Sequence, residues 1–290
     1  MTALKPMVVT VDRRQSANAM LGLLQTSCSV IGPAAGGVVV AAFGATTGFL
    51  VNAVSFLASV ATVRFVRARV ERAPHRAMLH EMGEGWAEIR RRDWLLAGVL
   101  AATVYHVANG VVLVLIQVVA IRDLGGASAA GLIAAAEGLG GVVGAAIAMR
   151  YRPVRLLRAG WLRLLLMPLW VLAYVWPAVL SAVVIGAVLG YAGLSFFFVA
   201  WETAIQDQVP HHVLARVASW DTLTSFVGMP VGNALAGPLA HVFGIDRVFV
   251  GCALVLFGAS LAPLFVAGSR RLTRPIAQHV TQPEAVVVEV

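Results

Sequence analysis

Apolar residues run along this chain in long blocks rather than in stripes. Blocks of about 20 residues or more, long enough to cross a bilayer, occupy about 17–43, 45–65, 94–119, 128–149, 156–176, 178–200, 217–241 and 246–267. They predict about eight transmembrane helices, segments A to H, and an all-α integral membrane protein. The A–B, E–F and G–H links are very short, so each of those pairs is expected to form an antiparallel hairpin. One stretch between B and C has a different period. Met78, Met82, Trp86 and Ile89 recur at helical spacing, with Glu81, Glu84, Glu88 and Arg90 elsewhere around the turn. This predicts a short amphipathic helix lying at the membrane surface; a solvated linker is the alternative.

Segment A contains Gly32-Pro33-Ala34-Ala35-Gly36-Gly37. In water, that run would break a helix, because proline removes an amide donor and glycine loses the most backbone entropy. In lipid the helix persists, since neighbouring helices take up the freed groups and small residues admit close approach. A bent helix with a tight helix contact is expected. A weaker copy follows as Gly228-Met229-Pro230-Val231-Gly232-Asn233, and residues 11–19 correspond to 209–217. An internal repeat in a membrane chain points to a transporter built from two related halves. On this correspondence A matches G and B matches H. Residues 94–267 then form a complete six-helix half, and 1–66 hold the last two helices of the preceding one. Residues 67–93 link them, and 268–290 are a polar tail expected to be disordered. A complete protein would have twelve helices, the first four of which this chain is expected to lack.

Composition agrees: of 290 residues, 59% are hydrophobic and 12% charged, against about 25% charged in soluble proteins. The net charge of +8 raises nucleic acid as a partner, but the positions of the charges argue against it. Nineteen lysines and arginines fall before A, between B and C, between D and E, between F and G, and after H; only Arg122 and Arg247 fall on the other side, and Arg163 lies within E. By the positive-inside rule both termini are cytoplasmic, in a multi-pass protein of the cell membrane whose arginines face anionic lipid. No secretory signal is expected at 1–12. Cys28 and Cys252 lie inside apolar runs and read as small buried hydrophobes. No disulfide, metal or cofactor is expected. With no Asp-x-x-Asp and no glycine-rich phosphate loop, the chain does not read as an enzyme.

The Gly-Pro-x-x-Gly-Gly run resembles the fifth-helix motif of proton-coupled drug exporters in the major facilitator superfamily. The two earlier glycines of that motif are Ala19 and Cys28 here, both small. Trp201-Glu202-Thr203-Ala204-Ile205-Gln206, Val209-Pro210, Arg216-Val217 and Asp221 resemble the tenth and eleventh helices of the branch that includes bacterial siderophore and macrolide efflux proteins. So do Pro230 and 234–240. The resemblance covers about 8–266 and implies helices five to twelve of a twelve-helix fold that opens its central cavity alternately to either side. It implies that the seventh and tenth helices, C and F, line the cavity. The loop from Gly144 to Arg155 lacks the family's aspartate, Ala148 standing near that place. The fifth-helix motif of Gly32, Pro33, Gly36 and Gly37 therefore carries the inference of proton coupling and of cavity sealing; a packing device is the alternative.

Polar groups at bilayer depth are costly and are functional candidates. In C, His106, Gly110, Leu113 and Gln117 share one stripe, with Tyr105 and Asn109 beside it. The stripe suits a cavity wall, and His106 titrates near neutral pH; alternatively His106 and Asn109 bond a neighbouring helix. In F, Tyr191, Ser195, Phe198 and Glu202 share a face suited to an amphipathic or cationic molecule, or to core packing. Glu137 sits in D among glycines; an acid there is costly unless it takes up a proton, as a carrier must, or it serves a helix contact. Arg163 reads as structural, its head group snorkelling to the membrane edge. Glu202, Arg216 and Asp221 flank the F–G link, as a gate or as a solvated loop. The expectation is an exporter of a hydrophobic or amphipathic small molecule, exchanging it for protons. The alternative is a non-transporting fragment or one part of a split transporter.

Overall fold

The computed structural model describes residues 14–65, 78–175 and 178–273, and no strand occurs among them. The helices are α1 (Arg14–Phe65), α2 (Met78–Arg90), α3 (Asp93–Asp123), α4 (Ala127–Arg150), α5 (Leu156–Leu164), α6 (Leu166–Leu172), α7 (Leu180–Gln208), α8 (His211–Phe243) and α9 (Ile245–Leu261). A 3-10 turn (Ala262–Phe265) and α10 (Ala267–Arg271) follow. Most of the expected tail, from 274 on, lies outside the described residues.

Among the described residues, five helices are long and apolar enough to cross a membrane. These are α3, α4, α7, α8 and α9 with its 3-10 turn, matching segments C, D, F, G and H. Segment E is divided. Pro168 has no amide to offer the Leu164 carbonyl, and its ring crowds that group; accordingly α5 ends at Leu164 and α6 begins at Leu166.

The A–B hairpin is corrected. Residues 14–65 form one helix of 52 residues, about 78 Å long at 1.5 Å per residue, more than twice a bilayer core. Nothing after Pro33 breaks it, and Phe49 to Thr62 are exposed throughout, so no packed surface turns the second segment back. Cys28, expected to be buried, is exposed, because only one face of α1 meets the bundle.

The expected F–G loop is also shorter than the sequence suggests. The 29 residues of α7 extend about 44 Å, past a core of about 30 Å. Glu202 therefore lies on α7, and Arg216 and Asp221 on α8. Only Val209 and Pro210 separate the two helices; Val209 is extended (φ −98°, ψ 129°), as the residue before a proline prefers. Between α8 and α9 the chain reverses on the single residue Gly244, at φ +81°, a conformation that favours glycine.

Lipid gives little hydrophobic drive for helices to associate, so close backbone approach does much of the work. α4 packs along α7, and α3 along α8. A methyl added at Gly140 or Gly144 would lie 2.9 or 2.8 Å from the Cα of Val188 or Ala192. One added at Gly228 or Gly232 would lie 2.9 Å from the His106 Cβ or 3.0 Å from the Gly110 Cα. An aromatic core joins α3, α5 and α7: Trp161 meets Phe197 at 4.4 Å, and Trp94 meets Trp201 edge-on at 5.8 Å. α1 packs through its first turns on α4 and α7.

Candidate functional site

The midst of the bundle holds an acid ringed by aromatic groups. Glu137 of α4 is hydrogen-bonded to the Tyr191 phenol of α7. Tyr105 of α3 and Tyr174, just beyond α6, are buried in the core against which Tyr191 packs. Trp170 packs edge-on against both Tyr191 (5.4 Å) and Tyr174 (5.6 Å). The Tyr105 and Tyr174 hydroxyls, Glu137 Oε1, Trp170 Nε1 and Asn109 Oδ1 are buried with no hydrogen-bond partner among the described residues. Buried polar atoms of this kind are uncommon, and here they come from three segments, α3, α4 and segment E.

The sequence candidates fall in three places. Glu137 and Tyr191 belong to this cluster; Asn109 is buried one turn from Tyr105 on α3. His106 is turned into the α3–α8 contact beside Gly228, and its Nδ1 donates to the Ala102 carbonyl at 2.7 Å. Ser195 is half-buried, and Phe198 and Gln117 are exposed. Backbone helix runs through Gly32, Pro33, Gly36 and Gly37; their surroundings lie outside the described residues. Tyr174 and Trp170 were missed, because segment E drew attention only through Arg163. Their four-residue spacing within an apolar run was the available signal. Arg163 itself lies over the rings of Phe196 (4.3 Å) and Tyr151 (4.9 Å) and donates to the Ala159 carbonyl at 2.9 Å.

A second polar set ties α1 to the arginine-rich end of the bundle. Asn18 Nδ2 donates to Gln206 Oε1 at 2.9 Å and to Thr203 Oγ1 at 3.2 Å, and Gln206 Nε2 donates back to Asn18 Oδ1 at 3.3 Å. Gln15 Nε2 donates to the Ala148 carbonyl and, at 3.0 Å, to that of Tyr151; Arg152 donates to Ser16 Oγ at 2.6 Å. All three amide-bearing partners, Gln15, Asn18 and Gln206, are buried. The sequence reading missed this clasp. Its only mark was polar residues recurring where α1 begins and α7 ends.

Each of Glu202, Arg216 and Asp221 has a partner among the described residues. Arg216 pairs with Glu84 of α2. Asp221 accepts from Trp201 Nε1 at 3.1 Å, and Glu202 from Gln206 at 3.3 Å. α2 is an amphipathic helix, yet it docks on protein: Trp86 meets Trp220 at 5.2 Å, Trp220 Nε1 donates to the Met82 carbonyl at 2.9 Å, and Ile89 is fully buried.

The described residues form a bundle of apolar helices, five of them long enough to cross a membrane, as in a multi-pass membrane protein. The sequence profile of the Major Facilitator Superfamily matches residues 1–233, and the chain belongs to that superfamily, which comprises transporters rather than enzymes. It is 28% identical over 284 residues to the uncharacterized MFS-type transporter YfiS of Bacillus subtilis (strain 168), covering 89% of this chain and 65% of the relative. It is 26% identical over 254 residues to the multidrug efflux pump Tap of Mycolicibacterium fortuitum, covering 84% and 61%. It is 25% identical over 298 residues to the multidrug resistance protein MdtG of Enterobacter lignolyticus (strain SCF1), covering 97% and 69%. The chain thus spans less than two thirds of the length of the first two relatives.

Proposed function

We propose that the chain forms the part of an exporter of the drug and siderophore branch that begins with its Gly-Pro helix, here α1, and runs through the C-terminal half. It exports a hydrophobic or amphipathic small molecule across the cell membrane by alternating access, in exchange for protons. Superfamily membership and relatives named for multidrug efflux support this reading. The observation that carries the proton exchange is the hydrogen bond between Glu137 and Tyr191 within spanning helices. An acid at bilayer depth is a group through which a proton can pass, and Tyr191 supplies a donor when the carboxylate is left charged. Tyr191, Ser195 and Phe198 on α7, with His106, Asn109 and Gln117 on α3, wall the substrate path. The Gly32–Gly37 motif seals it, and Glu202, Arg216 and Asp221 steady its arginine-rich end, which is cytoplasmic by the positive-inside rule, as are both termini.

The test is proton-driven uptake of ethidium into inside-out vesicles. Glu137→Gln keeps a partner for Tyr191 but cannot exchange a proton. Gradient-driven uptake is expected to vanish while downhill dye exchange persists; undiminished gradient-driven uptake overturns the assignment. The exposed stretch from Phe49 to Thr62 favours a second reading, in which the chain transports only once other helices cover that surface. In that case vesicles holding the chain alone are inactive, and co-expressing the N-terminal helices of one of the relatives restores uptake.

A further inference from the structure

Several arginines at the helix ends pair with carboxylates: Arg92 meets Glu88, Arg122 meets Asp123 and Arg216 meets Glu84. Another four are gathered with one another instead. Arg155 and Arg158, at the start of α5, and Arg270 and Arg271, at the end of α10, line one cleft of about 270 Å³. All four are exposed, no acidic residue shares the lining, and none has a carboxylate partner among the described residues. The two helices come from distant parts of the sequence and pack against each other. Four like charges gathered without a counter-charge repel one another, so the fold has assembled a site that an anion stabilises. The start of α5 adds to it, since no side chain caps that helix and its first amides carry partial positive charge. The flanks are apolar and open to lipid: Val154 and Phe265 are each 72% exposed, and Leu162, one turn below Arg158, is 47% exposed.

We propose that this cleft is a specific site for an anionic phospholipid, the arginines holding its phosphate while its acyl chains lie along Leu162 and Phe265. Basic pockets between spanning helices suit such headgroups. The membrane boundary supplies the ligand in place, and the apolar flank distinguishes a lipid from a free phosphate ion.

Native mass spectrometry of the detergent-purified chain tests this with three probes: phosphatidylglycerol, phosphatidylcholine and inorganic phosphate. Phosphatidylglycerol is expected to be retained well above phosphatidylcholine, and inorganic phosphate is not expected to displace it at equal concentration. At roughly fivefold per arginine near an anionic lipid, Arg270→Gln with Arg271→Gln weakens retention about 30-fold. Lysine at both positions stays within about fivefold of the parent. Arg90→Gln with Arg91→Gln, equally basic and exposed at the end of α2, leaves retention unchanged. Equal loss in the α2 pair, equal retention of phosphatidylcholine, or ready displacement by inorganic phosphate overturns the proposal. If the glutamine pair does not purify folded, the competition on the unaltered chain decides on the same criteria.

Discussion

Replacing Asn18 by leucine removes the α1 clasp at nearly constant volume. Three hydrogen bonds are lost, two given by Asn18 at 2.9 and 3.2 Å and one received at 3.3 Å. Gln206 Nε2 keeps the Glu202 carboxylate, but Gln206 Oε1 loses the Asn18 amide at a position only 2% exposed. Stranding a buried amide costs about 1–3 kcal/mol in water-soluble proteins. Interhelical bonds in membranes average nearer 0.6 kcal/mol, because separated helices find other partners. The clasp sits at the bundle end between these regimes, so about 1–2 kcal/mol is expected, a roughly five- to thirtyfold rise in the population with α1 detached. The assay is the labelling rate of a cysteine at Ala17 by a membrane-impermeant maleimide, in a Cys28→Ser background, since Cys28 is exposed and Cys252 buried. Asn18→Leu should accelerate labelling by that factor. Asn18→Leu with Gln206→Leu should return it to within about threefold of the parent, because removing both partners is nearly neutral. An unchanged rate in the single variant, or a faster one in the double, would refute the clasp.

Two further predictions concern packing. Gly144→Leu drives side-chain atoms into the Ala192 backbone, whereas Gly131 has nothing within 4 Å. The first should destabilise the α4–α7 pair by about 3 kcal/mol or more, seen as loss of the monodisperse peak in detergent chromatography. Gly131→Ala should stabilise by up to about 1 kcal/mol. On α2, the Arg216–Glu84 pair has side chains 22% and 30% exposed and is worth at most about 1 kcal/mol. Arg216→Gln should therefore barely raise tryptic cleavage around α2, while Trp220→Ala, which removes both the Trp86 contact and the bond to Met82, should raise it strongly.

The spans were legible because each is a long apolar run, and hydropathy reports transfer to lipid directly. Hairpins were not: the A–B turn was inferred from block lengths, yet no residue near Gly44 forbids helix, and the chain continues. Pro168 could have flagged the split of segment E, as its missing amide acts four residues upstream. Glu137 stood out because an acid among glycines is rare at that depth. Its surroundings did not, since Tyr105, Tyr174 and Tyr191 come from three segments and nothing local marks their convergence. The contact of Arg216 with Glu84 of α2 was hidden for a related reason, since the two lie far apart in sequence. Amides such as Asn18 and Gln206 carry no charge and little hydropathy, so only tertiary structure pairs them.

The acid site and the clasp share their supports. α4 carries Glu137 and Ala148 and leads into Tyr151, whose carbonyl Gln15 grips together with that of Ala148; α7 carries Tyr191 and the Thr203 and Gln206 side chains that Asn18 grips. Along either helix the two sites are about 16–22 Å apart, at 1.5 Å per residue. Between them the helices touch backbone to backbone at Gly140 and Gly144, a contact that tolerates little sliding because no flexible side chain lies in it. A change in the hydrogen bond between Glu137 and Tyr191 that shifts α4 against α7 must therefore move the carbonyls on one helix relative to the side chains on the other. α1 spans both sets, Gln15 reaching one and Asn18 the other. Coupling of this kind needs no continuous chain of polar residues between the sites, only two stiff helices whose relative position both sites sense.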